Sequence, residues 1–406
     1  MSSERELQST LVRLSVLCAS ALHAIVGEHI ADAITDAEQD GATLAAKIHG
    51  DTVTILRLVQ KDTTALSVAM RPEKGKEISE DSPPTACIDG ASIEAANRLL
   101  QGLAVDHVPK LVFLVNLAQK NRAVYRPAKG DEADQAAHQM GTVLNAKHGE
   151  LVPRASVGSL YATDLKRGIG QVVELVAQLC QSFMDSRTRM ALEAASRRRG
   201  QEPEAAPKPS RAYSLQLTKQ LWSTCDALVG TPDHTPPLET RLARNNQEAY
   251  AKACKCAEPV LADATSEMKE ALASAGEEQV ETDDAWDLNV ELSPEEKELV
   301  RRTIALLECG AALQTAVRGA LLRRGVLADF DEANAALASL VELQDNVASL
   351  ALYGEEQGEE PLGDAVEKYA RVCTELADAA GTHRNEAIDQ AAAAAAEAAA
   401  HVREIL

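Results

Sequence analysis

Aromatic side chains are scarce in this sequence: Phe, Trp and Tyr together make up 3% of its 406 residues. A chain of this composition has too little flat ring surface to stack the bases of single-stranded nucleic acid. Basic residues are also in deficit, because 41 Lys and Arg face 62 Asp and Glu and the net charge is −21. This excess of acid argues against binding to phosphate backbones, so we expect no direct nucleic-acid partner.

Long apolar runs are missing as well. No stretch of about 18 consecutive apolar residues occurs, so the sequence predicts no membrane span. The residues from Met1 to Glu6 lack the basic flank and apolar stretch of a secretory signal, which predicts an intracellular protein. The eight cysteines are spread along the chain, mostly at apolar helical positions, which is typical of free buried thiols.

The sequence also lacks the motifs that catalysis and cofactor binding require. It has no G-x-x-x-x-G-K-[ST] phosphate loop, no His-Glu-x-x-His and no G-x-S-x-G elbow. Cys254 and Cys256 are separated by one residue and have no second ligand pair at metal-binding spacing. We therefore predict that the protein is not an enzyme and has no cofactor, no metal and no catalytic residue.

Apolar residues spaced three and four apart are the strongest positive signal. One such stripe comprises Leu7, Leu11, Leu14, Cys18, Ala21 and Ile25, and another comprises Leu165, Ile169, Val172, Val176, Leu179 and Phe183. Similar stripes follow near 300, 340 and 370. This spacing places apolar side chains on one face of a helix, so we predict an all-α fold of two antiparallel helical bundles, each of four to five helices.

Three local features refine this prediction. The segment Thr52–Leu58 is rich in β-branched residues, but the apolar spacing continues beyond it, and we interpret it as helix. Ser293 and Glu296 bracket Pro294 as a capping box does, which predicts a helix from about 294 to 324. Pro259 falls inside a helical stretch, where it predicts a kink or a break.

The spacing of the stripes also suggests domain boundaries. We predict an N-terminal bundle over residues 1–275, which contains a flexible Pro-rich linker at about 199–210. An acidic linker over 276–292 precedes a C-terminal bundle over 293–406. Between Glu277 and Glu298 there are ten acids and one lysine, so this stretch carries −9 of the net charge.

The acidic linker contains the candidate partner-binding residues. Its acids alternate with two apolar side chains, a pattern that can dock on a basic apolar groove. The candidates are Asp283, Asp284, Trp286, Asp287 and Leu288. The alternative interpretation is a solvating linker whose Trp286 packs back onto a bundle.

Four residues that precede proline are candidate phosphorylation sites, namely Ser82, Thr231, Thr235 and Ser293. A phosphate at these positions would add charge at helix ends or loops. Turn and capping chemistry explains the same four dipeptides equally well.

Several stretches, read in order, resemble the cyclin-D-interacting protein family (GCIP). The resemblance is carried by 165–175, by the helix of Trp222 with the Thr231-Pro232 turn that follows, by 263–271 and by 345–353. Together they span about residues 40 to 380. The resemblance implies an all-helical, non-enzymatic regulator of cell-cycle progression that binds cyclin D or helix-loop-helix proteins in cytoplasm and nucleus.

Two other interpretations remain open. The helical pattern resembles, more loosely, the rod modules of vinculin, talin and α-catenin, which implies a cytoskeletal adaptor that receives amphipathic helices. An enzyme with a metal site in a bundle core would need inward Glu-x-x-His pairs, and none is evident. The sequence leaves the oligomeric state open.

Overall fold

A computed structural model shows an all-α protein, as the apolar spacing predicts. The structure describes residues 2–26, 41–71, 88–120, 142–145, 150–153, 157–198, 211–231, 233–274, 292–324, 327–354 and 360–406. The chain divides into two compact units, Met1–Asn245 and Asn246–Leu406. Apart from Leu292, the two predicted linkers, 199–210 and 276–292, lie outside the described residues.

The first unit is built from helices that surround one apolar core. They are α1 Ser2–Val26, α2 Gly41–Ala69, α3 Gly90–Gly102, α4 Val108–Lys120, α5 Ser159–Ser182, α6 Ser186–Arg198 and α7 Arg211–Val229. Helix α1 packs against α3 and α5, and α2 packs against α3 and α7. Helix α5 also contacts α4 and α7, so it joins the two sides of the unit.

The first unit also contains a short β-hairpin that the apolar spacing does not predict. Strand β1, Thr142–Asn145, pairs antiparallel with β2, Glu150–Pro153, with Val143 opposite Val152. Each strand has four residues, so the hairpin leaves the all-α character of the fold unchanged.

Burial follows the predicted stripes. Every residue of the stripes on α1 and α5 is buried in the core of the first unit. The segment Thr52–Leu58 lies inside α2, which confirms its interpretation as helix. Within it, Thr52, Ile55 and Leu56 point to the core at helical spacing, so tertiary burial outweighs the β preference of its side chains.

A π-helical turn, Leu103–His107, connects α3 directly to α4. The flanking residues Gly102 and Val108 have ordinary helical dihedral angles, so residues 90–120 form one continuous rod with a local bulge. The buried His107 places Nε2 3.0 Å from Oδ2 of Asp62 on α2. The bulge is therefore tied to the neighbouring helix by a partly buried polar pair.

The second unit is centred on one long helix. Its elements are α8 Asn246–Ser274, α9 Pro294–Arg324, α10 Leu327–Tyr353, α11 Leu362–Asp378, the 3₁₀ turn Gly381–His383 and α12 Glu386–Arg403. Helix α9 packs against α8, α10, α11 and α12. Its bounds confirm the predicted helix over 294–324.

The boundary between the units differs from the predicted one near residue 275. Helix α8 packs against α9 and α10, and it buries Tyr250, Leu261 and Met268 in the second unit. Residues 246–274 therefore belong with the C-terminal helices, although the apolar spacing alone assigns them to the N-terminal bundle. A stripe shows that a helix has a partner, but it does not show which one.

The structure tests two local predictions in this unit, the effect of Pro259 on α8 and the capping box at the start of α9. Helix α8 is continuous through Pro259, so no break occurs there. At the start of α9, Ser293 and Glu296 form the predicted capping box: the Glu296 N–H donates to Ser293 Oγ at 3.2 Å, and the Ser293 N–H donates to Glu296 Oε2 at 2.7 Å. This pairing satisfies two amides that a helix start leaves open.

In the described ranges, two helices are long and apolar enough, by length and composition alone, to cross a membrane. They comprise Glu4–Val26 and Pro294–Arg323. Both contribute buried side chains to the core of their own unit, for example Leu11 in α1 and Leu313 in α9. The central helix of a helical protein meets the same criterion, so this finding is weak evidence for a membrane span.

Candidate functional site

Helices α2 and α7 lie side by side and are held in register by polar contacts. The Ser67 and Thr218 hydroxyl oxygens lie 2.5 Å apart. Gln60 Nε2 donates to Asp226 Oδ1 at 2.9 Å and to the Trp222 carbonyl oxygen at 3.3 Å. Ser67 of α2 contacts Thr218 of α7, whereas the earlier residue Gln60 contacts the later residue Asp226. Residue numbers therefore rise in opposite directions along the two helices, which run antiparallel.

Four large apolar side chains are exposed on α2 and α7, Leu58 among them at 39%, and the other three form one group. Trp222 is 51% exposed, Leu215 42% and Val68 53%. Leu215, Thr218 and Trp222 are spaced i, i+3 and i+7, so they share the edge of α7 that meets α2. Val68 follows Ser67, the residue that contacts Thr218. We call Val68, Leu215 and Trp222 the α2–α7 surface.

Cationic side chains flank the α2–α7 surface. Arg57 and Lys61 are exposed and share a helical stripe with Val68, at i, i+4 and i+11. Lys219 is exposed on α7, four residues after Leu215 and three before Trp222. Asp226 lies four residues beyond Trp222, where it accepts a hydrogen bond from Gln60. The surface is therefore apolar and locally basic in a chain of net charge −21.

A second exposed apolar stripe lies on the π-turn and α4. Val105 is 79% exposed and Phe113 62% exposed, and Pro109 lies midway between them on the same face. The nearest ionised groups, Asp106 and Lys110, are paired with each other at 2.6 Å. Within the part of the chain that the structure describes, Arg57, Lys61 and Lys219 form no ion pair, so the α2–α7 surface carries charge that this stripe lacks.

The residues predicted to bind a partner lie outside the described residues. These are Asp283, Asp284, Trp286, Asp287 and Leu288, within the undescribed range 275–291. Their role stays a prediction.

The phosphorylation candidates fall in different settings. Ser82 lies outside the described residues. Thr231 exchanges backbone hydrogen bonds with His234 in a tight turn, and Thr235 is exposed one residue later. Ser293 uses its hydroxyl to cap α9. Capping and turn roles are thus realised for Ser293 and Thr231, and modification of any of the four stays a prediction.

The thiols follow the predicted pattern in the described part of the chain. Cys18, Cys180, Cys225, Cys254 and Cys373 are free and buried. Burial raises the pKa of Cys18, of Cys225 and of Cys373 to about 12 in each case. These three thiols are therefore protonated at neutral pH, and a protonated thiol is a poor nucleophile and a poor metal ligand. Among the described residues, no group of three or more His, Cys, Asp or Glu side chains could hold a metal ion.

Comparison with known proteins gives no assignment. No protein-family model matches the sequence, and no curated protein matches it. The resemblance to the cyclin-D-interacting family therefore stays a prediction that rests on the motifs quoted above.

The apolar spacing predicts the helix of Trp222 but not its exposed edge. The signal was present in the i, i+7 spacing of Leu215 and Trp222, with Lys219 between them. This spacing does not identify an exposed edge, because a buried stripe has the same spacing. Only the packing of α7 on α2 and α5 decides which face of α7 is covered.

Proposed function

We propose that this protein is a non-enzymatic protein-interaction regulator that receives an amphipathic helix of a partner on the α2–α7 surface. The observation that supports the proposal is the half-exposed Trp222, which lies three residues after the exposed Lys219 and on the edge of α7 that Gln60 of α2 contacts. Tryptophan is enriched among residues that dominate binding energy, because its large ring gains much contact area when it is covered.

Charge complementarity defines the kind of helix that fits. Arg57, Lys61 and Lys219 would attract a partner with acidic residues beside its apolar stripe. Such charges mainly speed the encounter and select the partner, while the covered apolar area holds the complex together. The partner is therefore an acidic amphipathic helix with one apolar anchor that packs against Trp222.

The resemblance to the cyclin-D-interacting family suggests which proteins carry that helix. Cyclin D and helix-loop-helix regulators are the first candidates, and with them a role in cell-cycle progression in cytoplasm and nucleus. The rod-module resemblance suggests actin-linked proteins as the alternative partners. Both alternatives use the same mode of recognition, a helix laid on a helical surface.

Fluorescence of Trp222 tests the surface directly. The chain has two tryptophans, so a Trp286→Phe variant leaves Trp222 as the sole reporter. Titration with a purified D-type cyclin or helix-loop-helix protein should shift the emission of Trp222 to the blue as its ring leaves water. Binding without any change in this emission would place the docking surface elsewhere and contradict the proposal.

Matched variants distinguish specific binding at the α2–α7 surface from nonspecific binding to any exposed apolar side chain. In affinity measurements with the same purified partner, Trp222→Ala should weaken binding by at least about tenfold, as expected for an anchor worth more than 1.4 kcal/mol. Lys219→Glu should slow association and reduce its salt dependence. Phe113→Ala, an exposed aromatic on the other stripe, should leave the affinity unchanged. An equal loss for Phe113→Ala and Trp222→Ala would overturn the assignment.

The acidic linker has its own test. The linker would contact a basic groove of the partner, apart from the acidic helix that the α2–α7 surface receives, so Asp283, Asp284 and Asp287 changed together to Asn should reduce partner recovery and its sensitivity to salt. Unchanged recovery and salt response would remove the linker from the mechanism and leave the α2–α7 surface unaffected.

A further inference from the structure

The exposed stripe on the π-turn and α4 can pair with a copy of itself. We call its three side chains, Val105, Pro109 and Phe113, the π-turn stripe; they are spaced four residues apart, so they follow one another along one face of the rod. Val105 is 79% exposed and Phe113 62%. Exposed apolar side chains that adjoin one another mark interaction surfaces more often than isolated ones do. The π-turn stripe contains no residue of the α2–α7 surface, so the inference is independent of the proposed function.

One flank of the π-turn stripe carries two opposite charges. Asp106 follows Val105 and Lys110 follows Pro109, so both charges lie on the same side of the apolar row. Asp106 Oδ1 and Lys110 Nζ are 2.6 Å apart, and the two side chains are 46% and 58% exposed, respectively. An ammonium group has three donors and a carboxylate accepts up to about four hydrogen bonds, so each group can contact a second opposite charge while this pair persists.

The other flank is small and uncharged. Ala104 precedes Val105 and Val112 precedes Phe113, and both Ala104 and Val112 are partly exposed. The π-turn stripe with its two flanks is therefore neutral in a chain of net charge −21. It offers no excess charge that would select an acidic or a basic partner, whereas its equal and opposite charges match those of an identical surface.

We propose that two copies of this chain associate through the π-turn stripe, with their α4 helices antiparallel and related by a two-fold axis at Pro109. Such an axis gives an isologous interface, in which residue i of one copy contacts residue j of the other and the reverse. Val105 of each copy then packs on Phe113 of the other, because both residues are four positions from the axis. Pro109 meets its own counterpart at the centre.

Charge complementarity selects a second copy as the occupant. The two-fold axis is perpendicular to the plane of the two helices, so the charged flanks of both copies lie on the same side of the interface. Asp106 of each copy and Lys110 of the other are offset along the rod by two residues, about 3 Å, which a lysine side chain spans. The four charges therefore alternate, and each carboxylate lies near two ammonium groups.

The contact is confined to the middle of the rod. Arg98 and Lys120 are exposed charges that lie 11 residues before and after Pro109, about 16 Å along the rod. Helices packed exactly antiparallel would bring these like charges together. A crossing angle of about 50°, the commonest between packed helices, separates them and leaves the central turns in contact. The interface is therefore small, and we expect a weak, concentration-dependent dimer.

Sedimentation equilibrium of the full chain tests this association. The average mass should rise from that of one chain towards twice that value as the protein concentration approaches about 100 μM, because a small interface gives a weak dimer. Phe113→Asp should weaken the dimer by at least about tenfold, since it places a charge in the apolar contact. Met190→Asp makes the same kind of change at an exposed apolar residue of α6 and should leave the dimer unchanged. A single-chain mass of the wild type at every concentration, or an equal effect of the two variants, would overturn the proposal.

Charge exchange tests the antiparallel arrangement. Asp106→Lys and Lys110→Asp should each weaken self-association by at least about tenfold, because each variant brings like charges together. A mixture of the two variants should associate as tightly as the wild type, and a chain that carries both substitutions should dimerise with itself. Native mass spectrometry identifies the mixed dimer, and circular dichroism verifies that each variant is folded. A mixture that associates no better than either variant alone would overturn this arrangement.

Discussion

Gly310 on α9 lies directly against the phenol of Tyr369 on α11. A methyl group at position 310 would overlap the Tyr369 hydroxyl oxygen and would lie 2.9 Å from Cζ of the ring. Tyr369 is fully buried and its hydroxyl donates to Gln344 Oε1 at 3.3 Å. Gln344 in turn donates through Nε2 to the Leu261 carbonyl oxygen on α8. The absence of a side chain at 310 therefore leaves room for Tyr369, whose hydrogen bond to Gln344 connects α11 through α10 to α8 in the core of the second unit.

Gly310→Ala should destabilise the second unit. The added methyl must displace Tyr369, and overpacking of this kind costs about 1–3 kcal/mol. The free energy of unfolding in urea, followed by circular dichroism, measures the effect. Gly319→Ala is the matched control on the same helix, because the nearest atom to its new methyl is Arg323 Nη2 at 3.7 Å. It should raise stability by up to about 1 kcal/mol, since glycine is unfavourable inside a helix.

The pair of His107 and Asp62 predicts a second loss of stability. His107→Ala removes the partner of a partly buried carboxylate and leaves a void beside the π-turn. We expect a loss of about 2 kcal/mol, and a smaller loss when Asp62→Asn is already present, because the two side chains act as a pair. Denaturation of both single variants and the double variant measures this coupling. Strictly additive losses would show that His107 acts through packing alone.

The cap of α9 predicts the cost of removing Ser293. Ser293→Ala leaves the Glu296 N–H without its acceptor, so the free energy of unfolding should fall by about 1 kcal/mol. Ser349→Ala, an exposed position within α10, should change it by less than about 0.5 kcal/mol. The Ser293 hydroxyl is also the group that a kinase would modify. Equal stability of Ser293→Ala and wild type would show that this hydroxyl does not stabilise α9 by capping.

Glu332 predicts a dependence on pH. Partial desolvation, with the nearby charges of Asp329 and Asp331, raises the pKa of Glu332 above its ordinary value of 4.5. A carboxyl whose pKa is higher in the folded state destabilises the fold when it is ionised, and this cost disappears as the pH falls through the raised pKa towards 4.5. Glu332→Gln should therefore raise the melting temperature at pH 7 and have no such effect at pH 3.5.

The periodic parts of the fold are those that the sequence could predict. Burial of Leu7 to Ile25 on α1, the helix through Thr52–Leu58 and the capping box at Ser293 each depend on residues within a few turns of one another. Such features can be predicted from the sequence because all the residues that produce them lie within one helix.

Features that depend on partners far along the chain were not readable. The assignment of α8 to the second unit depends on its packing against α10, more than 50 residues away. The continuous helix through Pro259 is another example, since packing on both sides outweighs the missing hydrogen bond. The exposed edge of Trp222 likewise follows from contacts between helices rather than from spacing along one helix.

The π-turn at Leu103–His107 has the geometry of a helix that has accepted one extra residue. A π-turn winds about five residues through the rotation that about four make in an α-helix, so it absorbs the extra residue and keeps α3 and α4 in phase. Removal of one amino acid from this turn would therefore eliminate the bulge that presents His107 to Asp62 but leave the buried faces of both helices in place. An insertion in α3 or α4 would instead rotate everything beyond it by about 100°, the angle between successive residues at 3.6 per turn.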